Sequence, residues 1–487
     1  MRAFSIRSKK PAEIPVPRRE RRCVTPEDRN MPESYMFRRA QAPDGTASGV
    51  AHALASFIVG ARERQLLPAT REAALKCVLD ALGSAGAAMD VPGLAATRDG
   101  AKRLLGRGAV PIWFSGSSGT LGAALLANSA ATAALDLDDG YRRARGHPGA
   151  AVVPAALAML TLRPALSADD ILGAIVAAYE VALRVAMARL SYAPSGAWSA
   201  YGAIAALGYL QGTSLGCLAH ALAIAAQASP ALPALAGLAG SDVKEGIPFG
   251  CLAGLAALEM AAAGATGPTD IFDIPTLFNG DVALADFGPA PLIEGTYFKP
   301  FGCCRHIHGA LDALLLLQDE HGFTAEDIDG MEVATYRATF NLANRPAPTS
   351  LTDAQYSVPF CLAAMAIGGE GALLPLKQTM LSDPRIVRLA RTVVVQADPE
   401  LEALFPARSP SRLSVTLRTG ERFVSPVVDP RGDPARPMHR PELVAKFRQV
   451  TAHTLGPRQE QVLQALQQFE QGETAPLVRV LGLDWTK

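Results

Sequence analysis

Aromatic residues are scarce in this chain: three tryptophans, nine tyrosines and seventeen phenylalanines make up 6% of 487 residues. Hydrophobic residues nevertheless reach 49%, so the core has to be built from alanine, leucine and valine, which favours closely packed helices. Surplus charge is missing too. Forty-six basic residues balance forty-six acidic ones and the pI is near 7.1, which leaves no electrostatic footprint for nucleic acid or an anionic membrane surface. Neither is expected as a partner. The seven cysteines (Cys23, Cys77, Cys217, Cys251, Cys303, Cys304 and Cys361) are odd in number and contain no Cys-x-x-Cys pair. That argues for a reducing compartment and against a disulfide framework, a zinc site or an iron–sulfur cluster. The adjacent Cys303-Cys304 reads as small residues in a tight turn.

Familiar catalytic signatures are absent as well. There is no GxSxG elbow, no HExxH and no Walker motif; the glycines of GSSGTLG, from Gly116, are followed by no Lys-Ser/Thr. The N-terminus, MRAFSIRSKKPAEIPVPRRERRCV, is basic, broken by proline and without the apolar run of a signal peptide. Residues 1–45 are expected to form a disordered tail, and the protein to be cytoplasmic. Two apolar stretches invite a membrane reading. Leu215 to Gly240 carries His220 and Gln227 and is broken by Pro230 and Pro233, while Ile247 to Gly264 holds Glu259 among small residues. A span wants about 20 strongly apolar residues, so both read as buried helices.

What is present is concentrated in a few places. LDLDDGYRRARGHPGAAVVP, Leu135 to Pro154, crowds Asp136, Asp138, Asp139, three arginines and His147 between alanine-rich segments almost free of charge. Charges beside apolar surface are costly unless paired or in use. The helical period of ANSAATAALDLDD halts at Gly140 and resumes after His147-Pro148-Gly149, which predicts a polar loop between two buried helices. The alternative is a solvated loop capping a helix. Two further polar islands follow, Ser241 to Glu245 and Lys299 to His308. Lys244 is either a lone ammonium between buried segments or a surface lysine; His308 is either a site group or a histidine at a helix start. Glu180 and Arg184, spaced i, i+4, suit a buried bridge or a site wall, and His220 suits a core histidine.

Helical periods also run through VAHALASFIVGARERQLL and PATREAALKCVLDALGSAGAA, and Ser167 with Asp169 and Asp170 caps ADDILGAIVAAYEVALRVAMARL. Beyond Leu292 the character changes. IDGMEVATY, RTVVVQAD, RLSVTLRTG and RFVSPVV read as strands, the last two as a hairpin across Thr419-Gly420, with a helix at VPFCLAAMAIGG. Helices return in PELVAKFRQVTAHTL and PRQEQVLQALQQFEQ. The expected fold is mainly α with an inserted α+β domain: a helical domain over 46–293 and 431–487, interrupted by a smaller α+β domain over 294–430.

Acids, histidines and cations with no nucleophilic triad suit proton transfer on an anionic small molecule. Lysine and arginine neutralise carboxylates and ease deprotonation of the adjacent C–H, and a histidine moves the proton near its ordinary pKa of about 6.5. Five segments carry a resemblance: LDLDDGYRRARGHPGAAVVPAALAML, YEVALR, the lysine of SDVKEG, FKPFGCCRHIHGALDA and TDAQYSVPFCLAAMA. In this order and spacing, over roughly residues 48–470, the chain resembles the MmgE/PrpD family, which includes 2-methylcitrate dehydratase, cis-aconitate decarboxylase and iminodisuccinate epimerase. The resemblance implies a large helical domain, a smaller α+β lid, a homodimer, and a site needing neither metal nor cofactor in the cleft between them. Carried over by position, Asp136, His147, Lys244 and His308 would be catalytic, and Lys299, Arg305, Cys304 and Tyr141 would contact substrate. Gly140 stands where the family commonly has threonine, GAWSAYGA lacks a histidine many members carry, and Cys303-Cys304 replaces the Ala-His of decarboxylases. The expected activity is a lyase dehydrating a hydroxy di- or tricarboxylate, as in 2-methylcitrate dehydratase. The alternatives are a dicarboxylate epimerase or isomerase, then a cis-aconitate decarboxylase-like enzyme, then a non-catalytic helical scaffold whose lysine and histidine islands face solvent.

Overall fold

A computed structural model describes residues 49–232, 241–285, 287 and 290–485; the tail expected over residues 1–45 lies outside them. Alanine and glycine allow the first part of the chain to pack as helices at close range. In order these are α1 (Val50–Ala61), α2 (Pro68–Ala87), α3 (Pro92–Leu105), α4 (Leu121–Ala133), α5 (Gly149–Leu162), α6 (Ala168–Ala188), α7 (Gly196–Gln211), α8 (Leu215–Ala228), α9 (Ile247–Ala262) and the short α10 (Gly280–Ala283), with a small hairpin of β1 (Val110–Ile112) and β2 (Ser117–Gly119) ahead of α4. Helix α3 had no counterpart in the sequence reading. Helices α7 and α9 approach so closely that a Cβ on Gly254 would stand 2.5 Å from the Ala200 carbonyl oxygen, a contact only glycine permits. Ser167 starts α6 with a reciprocal capping box to Asp170, as its spacing predicts.

Helix α6 is long and apolar enough to cross a membrane, but 89% of its apolar window is buried inside the fold, as in any core helix. The two stretches considered from sequence contain the shorter helices α8 and α9, residues 233–240 of the first lying outside the described residues. Glu180 and Arg184 are both buried on α6 and bonded, with Arg184 Nε 2.9 Å from Glu180 Oε1. His220 is half-buried and accepts a hydrogen bond from the Gly267 amide through Nδ1 at 3.3 Å.

From Phe301 a second core takes over. Around it stand α11 (Arg305–His321), β3 (Ile328–Thr335), α12 (Leu351–Gln355), α13 (Val358–Gly368), α14 (Pro384–Ala390), β4 (Val393–Ala397), α15 (Pro399–Glu402), β5 (Arg412–Leu417) and β6 (Arg422–Val424). The sheet order is β4-β3-β5-β6, with β3 and β4 parallel and the other pairs antiparallel. A parallel pair needs a crossover, and here helices α12 to α14 supply it. β5 and β6 form the expected hairpin, in which Gly420 takes φ +91°. Strand β6 ends at Val424, short of the SPVV that follows.

The C-terminal helices α16 (Arg440–Thr451), α17 (Gln459–Glu470) and α18 (Ala475–Leu481) return to the first core, contributing Phe447, Phe469 and Leu477. Phe447 lies against Gly83 of α2, with a ring carbon 3.1 Å from where a Cβ would be. Replacing Phe447 by alanine should therefore lower stability by about 3–5 kcal/mol. Denaturant unfolding measures this, and a loss below about 1 kcal/mol would mean that α16 is not held by that ring.

Candidate active site

The acid loop lies where α4 ends. The helical pattern predicted continuation to Gly140, but α4 stops at Ala133 because Asp136 adopts φ +52°, a left-handed backbone that a helix cannot contain. Glu245, just ahead of α9, has the same φ of +52°. Two non-glycine residues in this costly region bear on one cluster, and such outliers gather at functional sites.

The cluster is dry. Asp136, Asp138, His147, Lys244 and Lys299 are all buried, Asp136 and Lys299 completely. Asp136 Oδ1 receives both ammoniums: Lys299 Nζ at 2.8 Å and Lys244 Nζ, which also lies 3.2 Å from Asp138 Oδ1. His147 Nε2 is 3.6 Å from Asp136 Oδ1, and its Nδ1 is 3.6 Å from Asp138 Oδ2. Burial opposes ionisation of Asp136, yet Lys244 and Lys299 hold its carboxyl well below the usual carboxylate range. For Lys244 the balance mirrors this: burial opposes the charge, and Asp136 with Asp138 raises the pKa above the ordinary lysine value. Asp136 Oδ2 and Asp138 Oδ2 are buried without a hydrogen bond, two acceptors presented to a donor.

His147 is placed by its own loop. Its Nδ1 lies 2.7 Å from the Asp139 carbonyl oxygen. A carbonyl only accepts, so Nδ1 carries the proton and Nε2 keeps a lone pair. Burial, followed by Lys299 and Lys244, pushes the imidazole pKa below its ordinary value. The ring is a neutral base at neutral pH. Asp139 is anchored in turn by the Tyr179 hydroxyl at 2.6 Å and the Gly149 amide at 3.0 Å, and burial with nearby Asp80 raises its carboxyl to about 7. Beneath the loop, Lys446 of α16 donates to Asp80 Oδ1 at 2.6 Å and to the Leu137 carbonyl at 2.7 Å, fixing the backbone between Asp136 and Asp138.

The remaining expected residues are distributed unevenly. Arg305 is buried at the start of α11, with its guanidinium carbon 4.7 Å from the Tyr297 ring centroid and Nη2 2.6 Å from Asp433 Oδ1. Arg142 of the acid loop meets the other Asp433 oxygen at 2.7 Å. His308 is fully buried, but its Nε2 faces the Cys303 carbonyl at 3.0 Å and its Nδ1 faces Arg305 at 3.4 Å. No hydrogen bond or ion pair joins it to His147, Asp136 or either lysine among the described residues. Cys304 precedes α11, its thiol pushed up to about 12 by burial. The Tyr141 ring lies against Gly295, and the aromatic group at Arg305 is Tyr297. A Cβ on Gly140 would stand 2.3 Å from the Tyr297 ring and hydroxyl, so the glycine gives this tyrosine its room.

Several groups carried no role in the sequence reading. Glu245 Oε1 lies 3.9 Å from His147 Nε2 and accepts the Tyr356 hydroxyl at 3.0 Å, while Ser195 donates to Oε2 through its amide at 3.1 Å and its hydroxyl at 2.5 Å. Ser195 Oγ also accepts the His147 amide at 3.1 Å. Glu245 adjoins Lys244 in the same polar island, a signal that was there to be used. For Ser195 and Asp433 there was none, since each enters through long-range packing. His306, half-buried on α11, has Nδ1 2.6 Å from the Tyr336 hydroxyl, and burial lowers its pKa to about 4.

The arrangement is therefore two ammoniums, a neutral imidazole and two ionised carboxylates in one dry volume, equipped for proton transfer beside an anion. Residues 52–285 match the MmgE/PrpD N-terminal domain model and residues 301–470 the MmgE/PrpD C-terminal domain model. The chain belongs to the MmgE/PrpD family. That family includes dehydratases and other lyases. None of the curated proteins compared matches the chain. Asp136, Asp138 and His147 each bring a ligand atom within 4.8 Å of the others, a spacing that a metal ion could use. A dication there would stand beside the two ammoniums that Asp136 already holds, so the donor set fits an internal ion cluster better. Exchanging Lys244 for methionine should cost about 3–5 kcal/mol, because it leaves buried carboxylates short of a cation. Urea unfolding tests this, and an unchanged midpoint would show the Lys244 contact to be incidental.

Proposed function

We propose that the protein is a lyase that removes water from a hydroxy di- or tricarboxylate, with His147 Nε2 as the base that takes the proton α to a carboxylate. The observation that carries this reading is the tautomer fixed by the Asp139 carbonyl, which leaves a neutral, basic Nε2 beside two buried ammoniums. Lys244 and Lys299 would lower the charge on the substrate carboxylate and so stabilise the carbanion-like state that follows C–H cleavage. Breaking the C–O bond then releases hydroxide, which recovers the proton from His147 and leaves as water. Asp136, held ionised, cannot give a proton; it would orient the lysines. Arg305 and Tyr297 would hold the far carboxylate, and closure of the α+β part over the helical part would exclude water. The reading extends to a homodimer, as the family resemblance implies, and to a cytoplasmic location, in keeping with the scattered cysteines.

Epimerisation is the second reading. It needs another proton-transfer group across the substrate from His147, and His308, the candidate for it, is tied to Cys303 and Arg305. The scaffold alternative fares worse, because the lysine and histidine islands face each other and not solvent.

Incubation with hydroxy di- and tricarboxylates in D₂O, followed by NMR, separates these readings. An unsaturated product is expected from the lyase; deuterium uptake with inverted configuration and no water loss would replace it with the epimerase. His147→Gln should reduce kcat by about 10²- to 10⁴-fold. Since the environment favours neutral imidazole, protonation requires a pH below the ordinary value of about 6.5, so the acid limb of kcat/KM should fall beneath that value. A limb above it would remove His147 from the role of base.

A further inference from the structure

The cations of the site are each matched by a carboxylate of the protein. Lys244 and Lys299 meet Asp136, while Arg305 and Arg142 share Asp433. Glu245 adds a negative charge with no lysine or arginine ion pair among the described residues; its oxygens are held by the neutral donors Ser195 and Tyr356. Burial opposes its ionisation, but His147 and Lys244 lower its pKa, so it remains a carboxylate. Around His147 Nε2 the Asp136 carboxylate, 3.6 Å away, is neutralised by the lysine pair, whereas the Glu245 carboxylate, 3.9 Å away, has no such cation of its own among the described residues.

We infer that Glu245 is a specificity-determining residue that restricts the site to dicarboxylates by occupying, with its own charge, the place where a third substrate carboxylate would need a cation. This rests on the proposed reading of the site and narrows its substrate class. The physical cause is repulsion between like charges in a water-poor volume, where a pair a few ångströms apart is screened far less than in bulk water. Ser195 and Tyr356 make the device rigid. Glu245 cannot swing aside without giving up both donors.

The test is a binding measurement, so it does not depend on turnover. Isothermal titration of the full chain with succinate and with propane-1,2,3-tricarboxylate should show the dicarboxylate binding roughly tenfold or more tighter, the effect of a single unfavourable charge contact. In Glu245→Gln, whose amide oxygen can still accept from Ser195 while its NH2 donates to the Tyr356 hydroxyl oxygen, the preference should shrink at least severalfold through a gain in tricarboxylate affinity. Equal or tighter tricarboxylate binding by the wild-type chain would overturn the inference, as would an unaltered ratio in the folded variant or no binding of either anion. If Glu245→Gln does not fold, the wild-type comparison still decides. Failure of the reading looks different: no compound in the D₂O experiment would exchange or lose water, even if dicarboxylates bound as expected.

Discussion

One carboxylate oxygen accepting two ammoniums in the dry interior is the constraint on which the other features depend. Asp136 ties Lys244, ahead of α9, to Lys299, ahead of α11, and so joins the helical core to the segment entering the second core. Such a cluster is costly to desolvate and is not a natural means to stability, since apolar residues of the same volume would often serve as well or better. Its presence amid alanine-rich helices indicates selection for charge at that point. The left-handed Asp136 and the buried, unbonded oxygens of Asp136 and Asp138 are strains of the same kind, tolerated where chemistry needs them.

The histidine illustrates how far the proposed base depends on its surroundings. His147 is defined by what surrounds it: a carbonyl that fixes the proton on Nδ1, burial and two nearby ammoniums that discourage a second proton, and a serine that holds its amide. Lys446 extends the same logic outward, since it grips the backbone between two aspartates without touching either side chain. These supporting groups come from α2, α6, α16 and the start of α7, so the precision of the centre is a property of the packed whole.

Much of this was legible in sequence because charge was so unevenly distributed. In a chain whose helices are alanine and leucine, Asp136, His147, Lys244 and Lys299 stood out as interruptions, and all four meet in one cluster. The strands and the hairpin at Gly420 were legible from period and turn chemistry. The end of α4 was not, because nothing in ALDLDD announces that Asp136 will turn left-handed. His308 and Tyr141 show the limit of position alone: they lie in the same polar stretches as Lys299 and Asp138, yet a helix turn directs His308 to the Cys303 carbonyl and the loop lays Tyr141 on Gly295. Asp433 and Ser195 escaped notice because partners far apart in sequence give them their roles.

The bond from Lys446 to the Leu137 carbonyl also bears on how the protein is made. During synthesis the acid loop leaves the ribosome long before α16, and until α16 arrives the peptide between Asp136 and Asp138 lacks its anchor. Lys299 and Arg305 are likewise still to come. A nascent chain can thus bury most of its alanine helices while the carboxylates remain unassembled, and the centre closes only when the last helices dock. Completion of this centre therefore waits on α16, some three hundred residues after the loop it anchors.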